Sequence, residues 1–237
     1  MTVDAPNPVH QFSTLNEKAL HAALKAWYAQ PGDQFEVVVE RSVIDIVRDD
    51  LLIEIQTGGF GPLRRKLMRL TANHPVRLVY PIAAEKFIVR EDAGGRISRR
   101  RSPKRGAMHD VFYQLVTFPK LMALPNFTLE VLLIREEEVR RRDGSRRAWR
   151  RKGWVTQERR LLDVLDRRVF ESPEDLAAFI PADLEPPFTT ADIATATGIP
   201  RWMVQKMTYC LRELGVIEIV GKTGNSLRYT RNNGSGA

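Results

Sequence analysis

Residues 42–57 read SVIDIVRDDLLIEIQT. Two aliphatic runs each carry one acid. Asp45 lies among Val43, Ile44, Ile46 and Val47, and Glu54 among Leu51, Leu52, Ile53 and Ile55. Between them stands Arg48-Asp49-Asp50, a turn signal, because Asp tolerates the left-handed backbone of tight turns. The pattern predicts a β-hairpin. With Asp49 and Asp50 as its loop, Arg48 faces Leu51 and Asp45 falls opposite Glu54. Opposed side chains in such a pair have Cβ atoms roughly 4.5–5.5 Å apart, and like charges there repel. Two carboxylates so placed should raise one pKa or hold a cation. Strand alternation adds Gln56 to the face of Glu54, so one sheet face is expected to present Asp45, Glu54 and Gln56.

Elements flanking the hairpin follow from capping and periodicity. Thr14-Leu15-Asn16-Glu17 is a capping box opening a helix to about residue 29, with Leu20, Leu24 and Trp27 on its buried stripe. Pro31-Gly32 ends it, and residues 35–39 (FEVVV) read as a strand. After the hairpin, Thr57-Gly58-Gly59-Phe60-Gly61-Pro62 leads into a helix whose buried stripe is Leu63, Leu67 and Leu70. Residues 76–82 (VRLVYPI) then read as a buried strand, parallel to the one before the helix, which makes the sheet mixed.

The pattern D-x9-E-x-Q on a hairpin with a helix on either side resembles the PD-(D/E)XK nuclease superfamily, the restriction-endonuclease fold. The resemblance covers about residues 14–82. It implies that Asp45 and Glu54 bind Mg²⁺ (or Mn²⁺), with the main-chain carbonyl of Ile55 as a further ligand, and that the protein hydrolyses DNA phosphodiester bonds. The superfamily's Lys two residues after the acid is Gln56 here. Some members carry Gln at that place and others supply a Lys from the next helix. Lys66 is the candidate for that cation, and the plain alternative is a helix lysine snorkelling to the surface. A Glu on the first helix completes the metal site in many members, which offers Glu17 that role beside its simpler one as a cap.

Composition is consistent with a nucleic-acid partner. Across 237 residues, 37 Lys and Arg against 29 Asp and Glu give a net charge of +8, a balance that favours polyanions. Cys210 is the sole cysteine, so no intrachain disulfide forms, as expected of a cytoplasmic protein. No apolar run approaches the length of a membrane span, and the N-terminal segment has no signal-peptide pattern. No zinc-type cluster and no phosphate-cradling GxxxxGK[ST] motif occurs, so neither zinc nor ATP is expected.

Two basic clusters follow the nuclease-like pattern. One is the return arm of a hairpin turning at Gly94-Gly95, with Arg99, Arg100 and Arg101, then Lys104 and Arg105. A helix is expected over residues 108–124 and a long strand over 127–139. The second cluster, Arg140–Arg142, Arg146, Arg147, Arg150, Arg151 and Lys152, is interleaved with Trp149 and Trp154. Basic residues with aromatics suit backbone contact and base stacking. The alternative is a solvated hairpin neutralised by Glu136, Glu137 and Glu138.

From Ser172 the texture changes. Pro181, Pro186 and Pro187 mark a linker, and about residues 187–231 resemble a winged helix-turn-helix. Thr189 caps a short helix with Asp192 three residues on. Gly198 makes the turn, and Pro200 opens a longer helix stopped by Gly215. Residues 216–220 and 227–230 form the wing's strands. Arg201, Gln205, Thr208 and Arg212 make a polar stripe suited to base edges, with Lys222 and Arg228 for phosphates.

The expectation is therefore an α/β (α+β) protein in three parts. A restriction-endonuclease-like core spans 13–170, a helix and linker 171–187, and a winged helix 188–232. The function expected is metal-dependent DNA endonuclease activity, with a homodimer suited to double-strand cleavage. The alternatives are a catalytically inactive DNA-binding regulator on a decayed nuclease core, or a winged helix that docks protein.

Overall fold

A computed structural model of the chain describes residues 19–92, 94–142 and 153–232. The β-branched run after the first helix breaks into three short antiparallel strands: β1 (Gln34–Val39), β2 (Ser42–Arg48) and β3 (Leu51–Ile55). The β2–β3 turn is the expected two-residue loop. Arg48 pairs with Leu51, Val47 with Leu52 and Ile46 with Ile53, and Asp49 takes the left-handed φ of 54° that Asp tolerates.

After α2 (Arg64–Leu70), β4 (Val76–Glu91) pairs in parallel with β3. The sequence suggests a strand ending near Ile82 and a separate hairpin arm. The two are one 16-residue strand, carried past a register shift at Ala83–Glu85. β5 (Ile97–Arg101) folds back on the far half of β4, β6 (Phe127–Arg142) runs parallel to β4 along its length, and β7 (Trp154–Phe170) returns antiparallel to β6. The sheet order is β1-β2-β3-β4-β6-β7, with β5 on β4. It is a mixed sheet in an α+β chain.

Helices cover both faces. On one side α1 (Ala19–Tyr28) packs Leu20, Leu24 and Tyr28 against Ile46, Ile53, Ile55, Val79, Leu132 and Ile134. Tyr28, not Trp27, completes the buried stripe. Its hydroxyl donates to Glu130 Oε2 at 2.6 Å, whereas Trp27 is 44% exposed. The opposite face packs Ile44, Leu52 and Leu78 against Leu67, Leu70 and Phe112. The helix expected over residues 108–124 is three short pieces: a 3₁₀ turn Met108–Val111, α3 (Phe112–Leu115) and a second 3₁₀ turn Pro119–Ala123. Pro119 cannot continue a helix and opens the last turn.

The carboxyl-terminal unit joins that second core. α4 (Thr190–Thr197) has the expected capping box, in which the Thr189 hydroxyl accepts from the N–H groups of Ala191 and Asp192 and the Asp192 carboxylate accepts from Thr189 N–H. Gly198, at φ 69°, ends it. α5 (Arg201–Glu213) follows, and β8 (Ile217–Thr223) pairs with β9 (Ser226–Arg231). The strands run further than expected, leaving Gly224 and Asn225 as the turn. Met203, Val204, Met207 and Leu211 of α5 are buried in the same core as Phe112 and Leu115 of α3.

Candidate active site

The hairpin acids sit where the sheet loses its regularity. Every β1–β2 pair follows one register, from Gln34 with Val47 to Val39 with Ser42, except that Glu36 and Asp45 do not pair. Glu36 has a φ of 54°, which no regular strand allows. On the other side the β2–β3 ladder stops at Ile46–Ile53. Asp45 therefore has no strand partner on either side. Ile44 and Ile46, two residues apart, would share a face in a regular strand. Instead they are buried in opposite cores, so β2 turns over at Asp45.

That break directs the Asp45 carboxylate into the gap between β2 and β3. Its Oδ2 accepts the Ile55 N–H at 2.7 Å, replacing the carbonyl that a continued ladder would have offered. His21 Nε2 of α1 lies 3.1 Å from the same oxygen. Glu54, on β3, meets a different layer. Lys66 Nζ of α2 lies 2.6 Å from Glu54 Oε2 and donates to Val43 O at 2.6 Å. Burial and the Asp45 charge push the Glu54 carboxyl above its ordinary value, against the opposing pull of Lys66 and His21. A carboxylate in that condition gains from a nearby cation.

These facts revise the single polar face expected of Asp45, Glu54 and Gln56. Asp45 lies in the sheet's gap. Gln56 follows the end of β3, and its amide donates to Gly59 O at 2.6 Å in the next turn. Lys66 is the side chain that stands at Glu54. Glu17 lies outside the described residues.

Sequence reading missed His21. The signal was a polar edge on α1 beside the Leu20–Leu24 stripe: His21, Lys25 and Tyr28, spaced i, i+4 and i+7. Each meets an acid, namely Asp45, Glu36 at 3.0 Å and Glu130 at 2.6 Å. Lys25 is 1% exposed, so its pairing with Glu36 helps hold that residue's left-handed backbone beside Asp45.

The pair fits a hard cation in part. Among the described residues, Asp45 Oδ1 and Glu54 Oε1 take no hydrogen bond and are not sealed from solvent. Two solvent-reachable carboxylate oxygens are the donor type Mg²⁺ or Mn²⁺ prefers. Leu52 and Gln56 donate to the carbonyls of Pro75 and Val79 on the β4 side, so Ile55, out of step with them, turns its N–H and carbonyl toward the gap on the β2 side. Among the described residues, no group of three or more His, Cys, Asp or Glu side chains gathers to hold a metal.

The basic residues are mostly engaged within the protein. Arg99 pairs with Glu137 at 2.8 Å, Arg101 pairs with Glu85, and Arg105 and Arg135 share Glu85. Arg140 pairs with Glu138 and Arg159 with Glu136. Arg100 makes no ion pair among the described residues. Glu136, Glu137 and Glu138 thus neutralise Arg159, Arg99 and Arg140, while Arg141 pairs with Glu91. Arg146, Arg147 and Arg150 lie outside the described residues.

On α5, Gln205 is exposed and Arg201 reaches toward Thr190 and Ser226 at 3.4 Å. Arg212 pairs with Glu213, Lys222 is exposed and Arg228 is half-buried. Thr208 does not belong with them. It is 2% exposed and donates to Gln205 O. Packing of α5 into the core buries a position that the helical stripe alone would leave in solvent.

Residues 18–171 match the family described as a domain of unknown function, DUF8091. The chain belongs to this family. The DUF8091 match spans the sheet and the acid pair and ends where β7 does. An uncharacterized protein of Treponema pallidum (strain Nichols) is 30% identical over 191 residues, which is 79% of this chain and 75% of that protein. No solved structure matches. No helix among the described residues is long and apolar enough to cross a membrane.

Proposed function

We propose that this protein is a metal-dependent nuclease acting on DNA, with a restriction-endonuclease-like core and a carboxyl-terminal winged helix that engages the same nucleic acid. The observation that carries the reading is the meeting of Asp45, Glu54 and Lys66 at a break in the sheet. Two acids with free oxygens and one lysine, drawn from a hairpin and the helix after it, suit the hydrolysis of a phosphodiester. A divalent ion held by Asp45 and Glu54 would polarise the scissile phosphate and lower the pKa of an attacking water.

The protein's own groups have separable parts. Glu54 would lose its charge repulsion with Asp45 if a cation were held there. Lys66 holds Glu54 in place and supplies positive charge toward developing charge on a phosphate oxygen. Asp45 is held by the Ile55 N–H and His21. Gln56, bonded to Gly59 O, shapes the turn after β3.

The C-terminal reading rests on the capped α4, the turn at Gly198, α5 and the β8–β9 hairpin. Gln205, Lys222 and Arg228 remain available for contact with nucleic acid; Thr208 does not. With the Asp45–Glu54 pair as the site, cutting both strands of a duplex together would suit a homodimer.

The deciding experiment incubates the protein with plasmid and with single-stranded DNA in Mg²⁺ or Mn²⁺, with Asp45→Asn as the control. Cleavage lost in Asp45→Asn with DNA binding kept is expected. Binding without cleavage by the unmodified protein in either metal overturns the enzyme and leaves a DNA-binding protein.

A further inference from the structure

β3 and β5 occupy the same side of β4, one at each end. β3 pairs with Val76–Val79 and β5 with Phe87–Glu91. Between them residues 80–86 have no strand beside them on that side. Pro81, without an N–H, suits an unpaired stretch. Residues 102–106 partly fill the interval, as Ser102 N–H donates to Lys86 O and Gly106 N–H to Ala83 O. Gly106 comes so close that a Cβ there would lie 2.6 Å from Ile82 and 2.7 Å from Ala83 O. What remains is a cleft of about 550 Å³.

The cleft begins where β3 ends. Thr57, three residues beyond Glu54, lines it, and Arg159 Nη1 reaches Thr57 O at 3.4 Å. Lys86, Lys104, Arg140 and Arg159 line it, with Asp110 as the one acid in its wall among the described residues, which leaves cations in the majority. Glu136 and Glu138 beneath hold three of these cations in position, and Lys104 has no ion pair among the described residues. At its mouth Tyr113 also lines the wall. The Tyr113 ring meets Trp202 of α5 at 5.2 Å, and Lys206 Nζ stands 5.4 Å from its centroid. Both rings stay open to solvent, Tyr113 at 43% and Trp202 at 47%.

We infer that this cleft and its aromatic mouth bind single-stranded nucleic acid, the cations taking phosphates and Tyr113 and Trp202 taking unpaired bases. A positively charged groove with flanking aromatic faces is the general chemistry of single-strand binding. The volume is that of a small-ligand pocket and accommodates a few nucleotides of one strand, not a double helix. Its position delivers that strand from the end of β3 toward Asp45 and Glu54. The inference rests on the nuclease reading for this placement, but binding can be measured without cleavage.

The test is fluorescence anisotropy in EDTA, with the full-length protein and labelled single-stranded DNA, single-stranded RNA and duplex DNA of the same length. Tighter binding of a single strand than of duplex is expected, and the DNA and RNA arms tell which strand it is. Trp202→Ala should weaken single-strand binding about fivefold or more, the least that a lost stacked base costs. Trp202→Phe should keep the affinity, and Lys104→Ala should reduce the salt dependence. Duplex bound as tightly as single strand, or a Trp202→Ala protein that binds single strands undiminished, overturns the inference. Failure of cleavage with single-strand binding intact would sink the nuclease reading alone.

Discussion

Lys66 Nζ lies 2.6 Å from Glu54 Oε2, brought there by the helix that follows the hairpin. If this lysine is the site's cation, Lys66→Ala should lower DNA cleavage by roughly 10²–10³-fold, the range for losing one positioned electrostatic group. Gln56→Ala should cost far less, since its amide serves Gly59. Single-turnover cleavage rates of the two variants, with folding checked by circular dichroism, compare them directly.

Asp45 has a structural duty that Asn can share and Ala cannot. Its Oδ2 accepts the Ile55 N–H at 2.7 Å. Asp45→Ala leaves that donor without a partner, at a cost of about 1–3 kcal/mol. Asp45→Asn keeps an acceptor. Urea unfolding should therefore find Asp45→Ala the less stable of the two, while both lack cleavage.

A cation between Asp45 and Glu54 should stabilise the native chain. Burial and Asp45 raise the Glu54 pKa, so ion binding relieves repulsion that the folded state carries. Saturation to a hundred times the dissociation constant is worth about 2.7 kcal/mol. The melting temperature should rise with Mg²⁺ or Mn²⁺ in the unmodified protein and stay level in Asp45→Asn. An equal rise in both places the ion elsewhere.

Glu138 gives an acid-side prediction away from that pair. Burial alone would raise its pKa, but hydrogen bonds from Arg140 and Thr156 and the Lys86 ammonium outweigh it and hold it at about 2, against an ordinary 4.5. A depressed folded pKa means stability that is full above the unfolded value and lost as pH falls from about 4.5 toward 2. Glu138→Gln should flatten the stability profile over that window, as followed by thermal melts at stepped pH.

The two faces of α5 can be separated by substitution. Thr208 is 2% exposed and Gln205 is in solvent. Gln205→Ala should weaken DNA binding, while Thr208→Val should leave affinity unchanged and affect stability alone. Anisotropy titrations beside denaturant unfolding distinguish them.

Much of this architecture is local, and so was legible in the chain. Asp49-Asp50 sets the hairpin register as far as Ile46 and Ile53, but counting alone carries it on to Asp45 and Glu54, where the ladder has already stopped. The Thr189–Asp192 box and Gly198 mark the ends of α4 through bonds made within a few residues. Where the reading slipped, the competing force was distant. Trp27 yielded its buried place to Tyr28 because Glu130, a hundred residues on, offers the hydroxyl a partner.

Turn chemistry and strand period, both short-range, put the hairpin turn at Asp49-Asp50 and one acid on each of its arms in a basic chain. Only the tertiary structure decided which groups attend them. The left-handed backbone at Glu36, with Lys25 from another element paired to its carboxylate, unpairs Asp45. α1 then brings His21 to Asp45, α2 brings Lys66 to Glu54, and the packing of α5 into the core takes Thr208 out of solvent. Each depends on how layers pack across the sheet, and no spacing along the chain carries that distance.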